Sequence, residues 1–255
     1  MNFSELGLGG KSLLKLSDIS DEQFLALIDL AIAFKARKKS AAHLEAPLLK
    51  GRNICLIFQK SSTRTRCATV VAIRDEGGTA EYLGKDDIHL GNKESVADSA
   101  RVLGRMFDGI LFRGFEQQTV EDLAKYSGVP VWNGLTDDWH PTQIMADLQT
   151  VKEHFGYLKG LTLAFVGDGR NNVSNSLLIG CAKAGINVVT ACPPELNPET
   201  KVLQQAMEIA KKNNCQVRVC NDPEEGVKGA NILYTDVWVS MGEEAKMAER
   251  IKLLK

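Results

Sequence analysis

The stretch NICLIFQKSSTRTRCATVV (residues 53–71) decides the fold, because it leads from a strand into a helix through a polar turn. Residues 53–58 form an apolar run of strand length, and residues 64–75 have a helical pattern. The turn between them, residues 61–66, contains two serines, two threonines and two arginines. A strand that passes directly into a helix is typical of a βαβ unit, so the stretch predicts a parallel sheet.

The same alternation of strand-like and helical segments continues along the chain. Four strand-like segments belong to the first half and four to the second: 53–58, 79–83, 109–114 and 129–134, then 162–168, 187–192, 215–220 and 230–238. The pattern predicts an α/β fold of two doubly wound parallel-sheet domains joined by a connecting helix. We expect a first domain over residues 1–140, a linker helix over 141–156 and a second domain over 157–255.

A further packing helix is expected before the first strand, over residues 20–38. Ser20 and Gln23 have the spacing of a capping box at its start. Phe24 and Ile28 begin an apolar stripe at helical spacing, so one face of this helix should be buried.

The composition excludes several classes of function. The 255 residues include 31 Lys and Arg against 32 Asp and Glu, so the net charge of -1 provides no field for nucleic acid or an anionic membrane surface. We therefore expect neither a nucleic-acid nor a membrane partner. No apolar stretch approaches the roughly 18 residues that a membrane span needs, and the N-terminus lacks the apolar segment of an export signal. Six scattered cysteines without a C-x-x-C pair predict reduced thiols, no metal site and a cytoplasmic protein.

The polar turn after the first strand is suited to bind phosphate. In a parallel sheet, ligands bind at the carboxyl ends of the strands, where the next helix directs its N–H groups and its positive dipole end. Ser62, Thr63 and Thr65 offer hydroxyl donors, and an arginine adds a planar, permanently charged fork. The alternative is a helix cap flanked by solvated arginines. A nucleotide-binding P-loop is excluded, because the pattern G-x-x-x-x-G-K-[ST] is absent.

Two further polar clusters follow strands of the first half. Arg113 ends the third predicted strand at the same edge of the sheet, where it is either a second anion clamp or an exposed surface residue. His140 and Gln143 stand at the start of the linker helix, and Pro141 suits its first position. Donors from His140, Gln143 and Arg113 would polarise a carbonyl oxygen as it gains negative charge. A purely structural role is the alternative for His140.

The second half presents amides and a carboxylate at the ends of its strands. GDGRNN (167–172) follows a predicted strand, but Asn172 stands where a dinucleotide-binding loop has its third glycine. A nicotinamide-dependent oxidoreductase is therefore disfavoured, and Asn171 and Asn172 would instead bind a zwitterionic substrate. Asp236 lies near the end of the last strand and is followed by the loop SMGEE (240–244). We expect the site in the cleft between the two halves.

Five motifs, in this order, resemble those of the ornithine carbamoyltransferases: STRTR (62–66), FRG (112–114), HPTQ (140–143), GDGRNN (167–172) and DVWVSMGE (236–243). The resemblance covers essentially the whole chain. STRTR and HPTQ belong to the wider transcarbamylase group, which includes aspartate carbamoyltransferase, whereas D-x-x-x-S-M-G is typical of the ornithine enzymes. The resemblance implies transfer of the carbamoyl group from carbamoyl phosphate to the δ-amine of L-ornithine. The products are L-citrulline and phosphate, and the reaction needs no metal, cofactor or covalent enzyme intermediate.

The same resemblance assigns roles to individual residues. Those that would hold the phosphate group are Ser62, Thr63, Arg64 and Thr65, and those that would contact the carbamoyl end are Arg113, His140 and Gln143. Those that would hold ornithine are Asn172, Asp236, Ser240 and Met241, and Asp236 joins Arg113, His140 and Gln143 as a catalytic residue. GKDDIHLGNKES (84–95) resembles the family's mobile loop, whose His89 would complete the carbamoyl phosphate site of a neighbouring subunit. A homotrimer, or a multiple of trimers, is therefore expected.

The end of the chain departs from the family's pattern. Members continue with a His-Cys-Leu-Pro motif, whereas this sequence stops at Lys255 in a helical pattern. We therefore expect a C-terminally incomplete second domain with an exposed apolar strand edge. Two alternatives stay open. One is a transcarbamylase for another amine, such as aspartate or putrescine, and the other is a truncated, non-catalytic carbamoyl phosphate-binding protein.

Overall fold

The computed structural model describes residues 6–91, 94–239, 245 and 247–254. The chain forms two compact units. The first comprises Met1–Asp18 and Ala26–Thr142, and the second comprises Ile19–Leu25 and Gln143–Lys255. Each unit contains one four-stranded parallel sheet, which confirms the predicted α/β fold class. Of the helices within the described ranges, none has the length and apolar character needed to cross a membrane.

The first unit is built on four strands, β1 (Asn53–Phe58), β2 (Thr79–Gly84), β3 (Gly109–Arg113) and β4 (Val131–Leu135). They are ordered β2-β1-β3-β4, and all neighbours are parallel. The helices between them are α2 (Thr63–Asp75), α3 (Val96–Met106) and α4 (Gln117–Ser127). The fourth strand starts at Val131, later than the predicted residue 129, because Pro130 has no N–H to donate to a neighbouring strand.

β1 is apolar along most of its length because both of its faces are buried. Ile54, Leu56 and Phe58 pack in one core cluster that includes a residue of α2. Cys55 and Ile57 face a second cluster, which residues of α3 and α4 complete. Helices therefore cover both faces of the sheet, and this explains a strand without polar alternation.

The register of this sheet brings the carboxyl ends of three strands side by side. Phe58 of β1 is paired with Gly84 of β2 and with Arg113 of β3. The pairing of β3 with β4 shifts between Phe112 and Arg113. Because the strands are parallel, the segments that follow them all leave at this edge.

The second unit is built on β5 (Thr162–Val166), β6 (Asn187–Ala191), β7 (Val217–Cys220) and β8 (Ile232–Thr235), in the order β7-β6-β5-β8. Its helices are α6 (Asn172–Ala184), α7 (Thr200–Lys212), α8 (Pro223–Val227) and α9 (Met247–Leu254). In sequence, α5 (Pro141–Phe155) lies between the two series of strands. The last strand ends at Thr235, before the predicted residue 238, because its partner β5 ends at Val166, the residue paired with Thr235.

α1 (Asp21–Lys39) begins at the predicted capping box. Ser20 Oγ accepts from the Gln23 N–H at 3.1 Å, and the Ser20 N–H donates to Gln23 Oε1 at 2.9 Å. The next residue, Asp21, forms a buried ion pair with Lys183 of α6, with 2.8 Å between Oδ1 and Nζ. Lys183 Nζ also donates to the carbonyl oxygen of Ile19 at 2.7 Å. Both buried charges are thus satisfied, and the pair anchors the start of α1 in the second unit.

Gly104 allows α3 to pack closely against the end of α4. A Cβ atom built on Gly104 would lie 1.8 Å from the carbonyl oxygen of Ser127. Gly104→Ala is therefore expected to lower the free energy of unfolding by about 1–3 kcal/mol, although alanine normally favours a helix over glycine. Urea denaturation measures the change, with Val102→Ala on the exposed side of α3 as the control. A Gly104→Ala variant as stable as the parent would contradict this packing.

Candidate functional site

The predicted phosphate turn opens α2 directly after β1. Ser62 is the N-cap of this helix, and its Oγ accepts a hydrogen bond from the Thr65 N–H at 3.2 Å. Ser62 therefore caps the helix, but a capping hydroxyl still keeps its own proton for donation. The N–H groups of the first turn and the positive end of the helix dipole lie at the carboxyl edge of the sheet. Capping and anion binding are thus compatible at this turn.

Arg113 buries a positive charge at the end of β3. It is only 6% exposed, and its Nη1 lies 3.4 Å from Thr65 Oγ1, which is a long hydrogen bond. Its buried Nε has no hydrogen-bond partner among the described residues. Burial, and secondarily the positive charge of Arg64, lower the pKa of the Arg113 guanidinium. No ion pair in the described ranges involves either arginine, so an anionic ligand suits this pocket.

A cavity of about 460 Å³ lies against the same turn. The residues that line it are Ser61, Ser62, Thr63, Arg66, Cys67 and Tyr82. The Arg66 guanidinium lies 3.6 Å from the centre of the Tyr82 ring, so a cation–π contact holds it at the cavity wall. The volume lies within the range of small-molecule sites, and the wall includes hydroxyls that the sequence predicts to bind phosphate.

Hydrogen bonds join the segments that leave β1, β3 and β4. The Gln59 N–H donates to the Arg113 carbonyl at 2.8 Å, and the Asp137 N–H donates to the Phe115 carbonyl at 2.7 Å. Lys60 Nζ lies 2.5 Å from Asp137 Oδ1 and 4.5 Å from the centre of the Phe115 ring. Sequence reasoning missed this network because Lys60 and Asp137 are 77 residues apart. The network ties the segment before the phosphate turn to the segment before His140.

His140 is buried and electrically neutral. Burial, and secondarily the positive charge of Arg113, lower the pKa of its imidazole to about 3. At neutral pH the ring therefore carries one N–H donor and one acceptor nitrogen. A neutral ring can donate to an oxygen that gains charge, while the fixed charge at this site comes from arginine.

Gln143, in the first turn of α5, is bound to a carboxylate that sequence reasoning missed. Gln143 Nε2 donates to Asp147 Oδ1 at 2.9 Å, and the Tyr234 hydroxyl donates to Asp147 Oδ2 at 2.9 Å. Burial raises the pKa of Asp147, and the negative charge of Asp236 acts in the same direction. Burial and Asp147 also raise the pKa of Tyr234, so its hydroxyl keeps its proton. The four-residue spacing of Gln143 and Asp147 was a readable signal, whereas the contact with Tyr234 required the fold.

The GDGRNN loop after β5 is held by contacts within the second unit. Asn171 is the N-cap of α6, and its Oδ1 accepts from the Ser174 N–H at 2.7 Å. The carboxamide oxygen of Asn171 therefore caps the helix, while its buried Nδ2 has no hydrogen-bond partner among the described residues. Asn172 begins α6 and is half-buried. Asp168 forms a buried ion pair with Arg250 of α9 at 2.9 Å, which the sequence did not predict.

The remaining predicted site residues lie at a strand end, in a loop, or outside the described residues. Asp236 directly follows β8 and is half-buried, with its Oδ1 2.8 Å from the Val237 backbone nitrogen. His89 is exposed in the loop between β2 and α3. Ser240 and Met241 lie outside the described residues. The structure thus brings Ser62, Thr65 and Arg113 together in the first unit, and Gln143 and Tyr234 around Asp147 in the second.

Two family models match the chain. The one described as aspartate/ornithine carbamoyltransferase, carbamoyl-P binding domain, matches residues 11–153. The chain belongs to the aspartate/ornithine carbamoyltransferase family. The model for the Asp/Orn binding domain of the same family matches residues 159–255. The resemblance that the five motifs carry is therefore confirmed.

Relatives in this family include ornithine carbamoyltransferases of several organisms. The catabolic ornithine carbamoyltransferase of Bacillus licheniformis is 56% identical over 250 residues, which are 98% of this chain and 74% of that protein. The catabolic enzyme of Enterococcus faecalis is 56% identical over 246 residues, covering 96% and 72%. The solved structure of ornithine carbamoyltransferase from Pyrococcus furiosus has a TM-score of 0.91 at 42% identity, covering 97% of this chain and 78% of that one. These relatives confirm the prediction of a carbamoyltransferase.

His140 is expected to stay neutral between about pH 5 and pH 8 because its buried imidazole resists protonation. The NMR signals of its labelled ring, identified by their loss in His140→Gln, should not shift across that range. Arg113→Gln removes the nearby positive charge and should raise the pKa of His140. A midpoint near the ordinary histidine value of about 6.5 in the parent would instead indicate a solvated ring.

Proposed function

We propose that this carbamoyltransferase moves the carbamoyl group from carbamoyl phosphate to the δ-amine of L-ornithine. The products are L-citrulline and phosphate, and the reaction belongs to arginine metabolism. The observation that carries the proposal is the buried Arg113 beside Thr65 and Arg64, a cationic pocket with no carboxylate partner in the described ranges. Relatives named ornithine carbamoyltransferase at 56% identity support the same substrate pair.

The phosphate of carbamoyl phosphate binds at the turn between β1 and α2. Its oxygens accept hydrogen bonds from the N–H groups of the first helical turn and from the hydroxyls of Ser62, Thr63 and Thr65. Arg64 and Arg113 supply the positive charge. This arrangement leaves the carbamoyl end of the substrate to Arg113, His140 and Gln143.

The chemistry consists of an attack by an uncharged amine on the carbamoyl carbon. A C–N bond forms, the C–O bond to phosphate breaks, and the proton lost by the attacking nitrogen ends on the leaving phosphate. The carbamoyl oxygen gains negative charge in the transition state, and the Arg113 guanidinium and the His140 ring donate hydrogen bonds to it. One such donor typically contributes about 2.7–4 kcal/mol of transition-state stabilisation.

The second substrate is assigned to the second unit. We propose that Asn172, Asp236, Ser240 and Met241 hold ornithine. The carboxylate of Asp236 favours an amino acid with an amine at its end, and it repels the second carboxylate of aspartate. Carbamoyl phosphate binding then belongs to residues 1–140 and ornithine binding to residues 157–255, with the linker helix at 141–156.

Arg64→Ala should weaken binding of carbamoyl phosphate and lower kcat/KM about ten- to a hundredfold, because a hydrogen bond to a charged group contributes about 1.5–3 kcal/mol. Citrulline formation at varied carbamoyl phosphate measures the effect. Arg101→Ala is the matched control, since Arg101 is exposed and pairs with Asp98 on α3. The proposal fails if Arg64→Ala has parental kinetics, and a panel of amine acceptors decides between ornithine, aspartate and putrescine.

We further propose that the protein is a homotrimer, or a multiple of trimers, in which His89 completes the site of a neighbouring subunit. The family resemblance of the loop at residues 84–95 supports this assembly. The exposure of His89 is compatible with a contact to another subunit.

Mixed subunits test this assembly. Arg64→Ala and His89→Ala subunits, dissociated and reassembled together, should form more citrulline than either variant alone. In a random one-to-one mixture, about one site in four regains both intact residues from two different subunits. Light scattering should give a mass about three times the 27.9 kDa of one chain, or a multiple of that value. A monomeric mass, or a mixture without any gain, would exclude the shared site.

A cytoplasmic location is also proposed. All six cysteines are unpaired thiols. Burial raises the pKa of the Cys55 thiol to about 12 and that of Cys192 to about 11, so both are poor nucleophiles. Thiols of this kind are typical of proteins in a reducing compartment.

A further inference from the structure

Gln143, Asp147 and Tyr234 form a hydrogen-bonded group in the second unit, named here the Asp147 cluster. Asp147 Oδ1 accepts from Gln143 Nε2 and Asp147 Oδ2 accepts from the Tyr234 hydroxyl, both at 2.9 Å. Donors from two different elements, α5 and β8, therefore bind the two oxygens of one carboxylate. Asp147 and Tyr234 are not among the residues assigned above to either substrate.

A glutamine and a carboxylate four residues apart often pair on a helix surface without any functional role. α5 contains such a pair, since Gln149 Nε2 donates to Glu153 Oε1 at 2.9 Å in an exposed position. The Asp147 cluster differs because Asp147 is half-buried and because Tyr234 comes from another part of the fold. Tertiary structure, and not the helix alone, therefore fixes the Asp147 carboxylate.

We propose that Asp147 is a positioning residue that fixes the carboxamide of Gln143 for its contact with the carbamoyl group, an inference that rests on the proposed function. A carboxylate accepts hydrogen bonds and donates none, so only the nitrogen end of Gln143 can face it. The carboxamide is planar, and its Oε1 is therefore held on the opposite side of the group. A flipped Gln143 would place its oxygen against a carboxylate oxygen, which is unfavourable in a half-buried position.

This orientation changes the role expected for Gln143. The sequence predicted that Gln143 donates to the carbamoyl oxygen together with Arg113 and His140. With Nε2 bound to Asp147, Oε1 is the atom presented to the substrate, and it accepts a hydrogen bond from the carbamoyl NH₂ group. Arg113 and His140 still donate hydrogen bonds to the carbamoyl oxygen. A hydrogen-bond acceptor at the NH₂ group and donors at the oxygen together orient the plane of the carbamoyl group for attack.

Three titratable groups surround Asp147. They are Tyr234 of β8, Asp236 directly after β8, and Cys181 of α6. The Tyr234 hydroxyl donates to Asp147, and the negative charge of Asp236 makes this carboxyl group harder to ionise. Cys181 of α6 is buried, and its raised pKa keeps the thiol neutral. A protonated carboxyl group can donate as well as accept, so protonation of Asp147 in acid allows Gln143 to turn.

NMR on the whole chain tests the orientation without any need for turnover. With ¹⁵N-labelled glutamine, the side-chain signal of Gln143, identified by its loss in Gln143→Leu, should shift in acid with a midpoint above the ordinary aspartate value. The shift should vanish in Asp147→Asn. It should persist in Asp236→Asn with a lower midpoint, because a neighbouring negative charge is removed. A Gln143 signal that does not follow the titration of Asp147 would overturn the proposal.

Kinetics test the consequence for catalysis. Asp147→Asn should lower kcat for citrulline formation about ten- to a hundredfold, the usual cost of a misplaced contact group, while inhibition by inorganic phosphate stays unchanged. Tyr234→Phe removes one of the two bonds and should give a smaller loss. Glu153→Gln on the same helix is the control and should leave kcat and the Gln143 titration unaltered. Full activity in Asp147→Asn would overturn the positioning role.

These readouts separate this proposal from the proposed function. A parent chain that forms no citrulline would refute the function, and the role of Asp147 in that reaction with it. The titration of the Gln143 signal would still decide whether Asp147 sets its orientation. If Asp147→Asn does not fold, the titration of the Gln143 signal in the parent and the kcat of Tyr234→Phe still decide whether Asp147 positions Gln143.

Discussion

The buried guanidinium of Arg113, without a carboxylate partner in the described chain, is the constraint on which the site of the first unit depends. Removing this charge from water costs free energy, and the long hydrogen bond with Thr65 offsets little of it. The residue nevertheless stays in place, because its strand is buried and its backbone is paired with Phe58 of β1. The Arg113 guanidinium is already largely removed from water, so an arriving anion needs to displace little water from it. The packing and strand pairing of the fold thus offset the free-energy cost of this buried charge.

The bonds between the strand ends explain how the pocket keeps its shape. Gln59 binds the backbone of Arg113, and Lys60 binds the Asp137 side chain, so the segments after β1, β3 and β4 hold one another. Each of these segments precedes or contains a proposed substrate contact. Donors that are fixed before the substrate arrives need no reorganisation during the reaction, which is the main electrostatic advantage of an enzyme over water. The apolar core on both faces of β1 keeps this arrangement rigid.

Local features could be predicted from the sequence, and contacts across the fold could not. Ser62 caps α2 and Ser20 caps α1 as the spacing predicts, because a cap involves residues only three positions apart. Arg113 is an intermediate case, since its place at a strand end was readable while its burial depended on the neighbouring strands. The contact between Asp147 and Tyr234 joins residues 87 positions apart, and no local pattern indicates which helix face meets which strand end.

Burial shifts the pKa values of acids and bases in opposite directions. These shifts determine the pH range in which each group of the two units changes its charge. Burial lowers the pKa of His140 and raises that of Asp147, because both groups lose hydration in their charged forms. Burial also lowers the pKa of Arg113, but the pKa of a guanidinium is so high that the side chain remains protonated. Arginine is therefore the one side chain that can hold a buried positive charge here at every physiological pH. Histidine in that position would lose its charge, and the pocket would then depend on Arg64 for its positive charge.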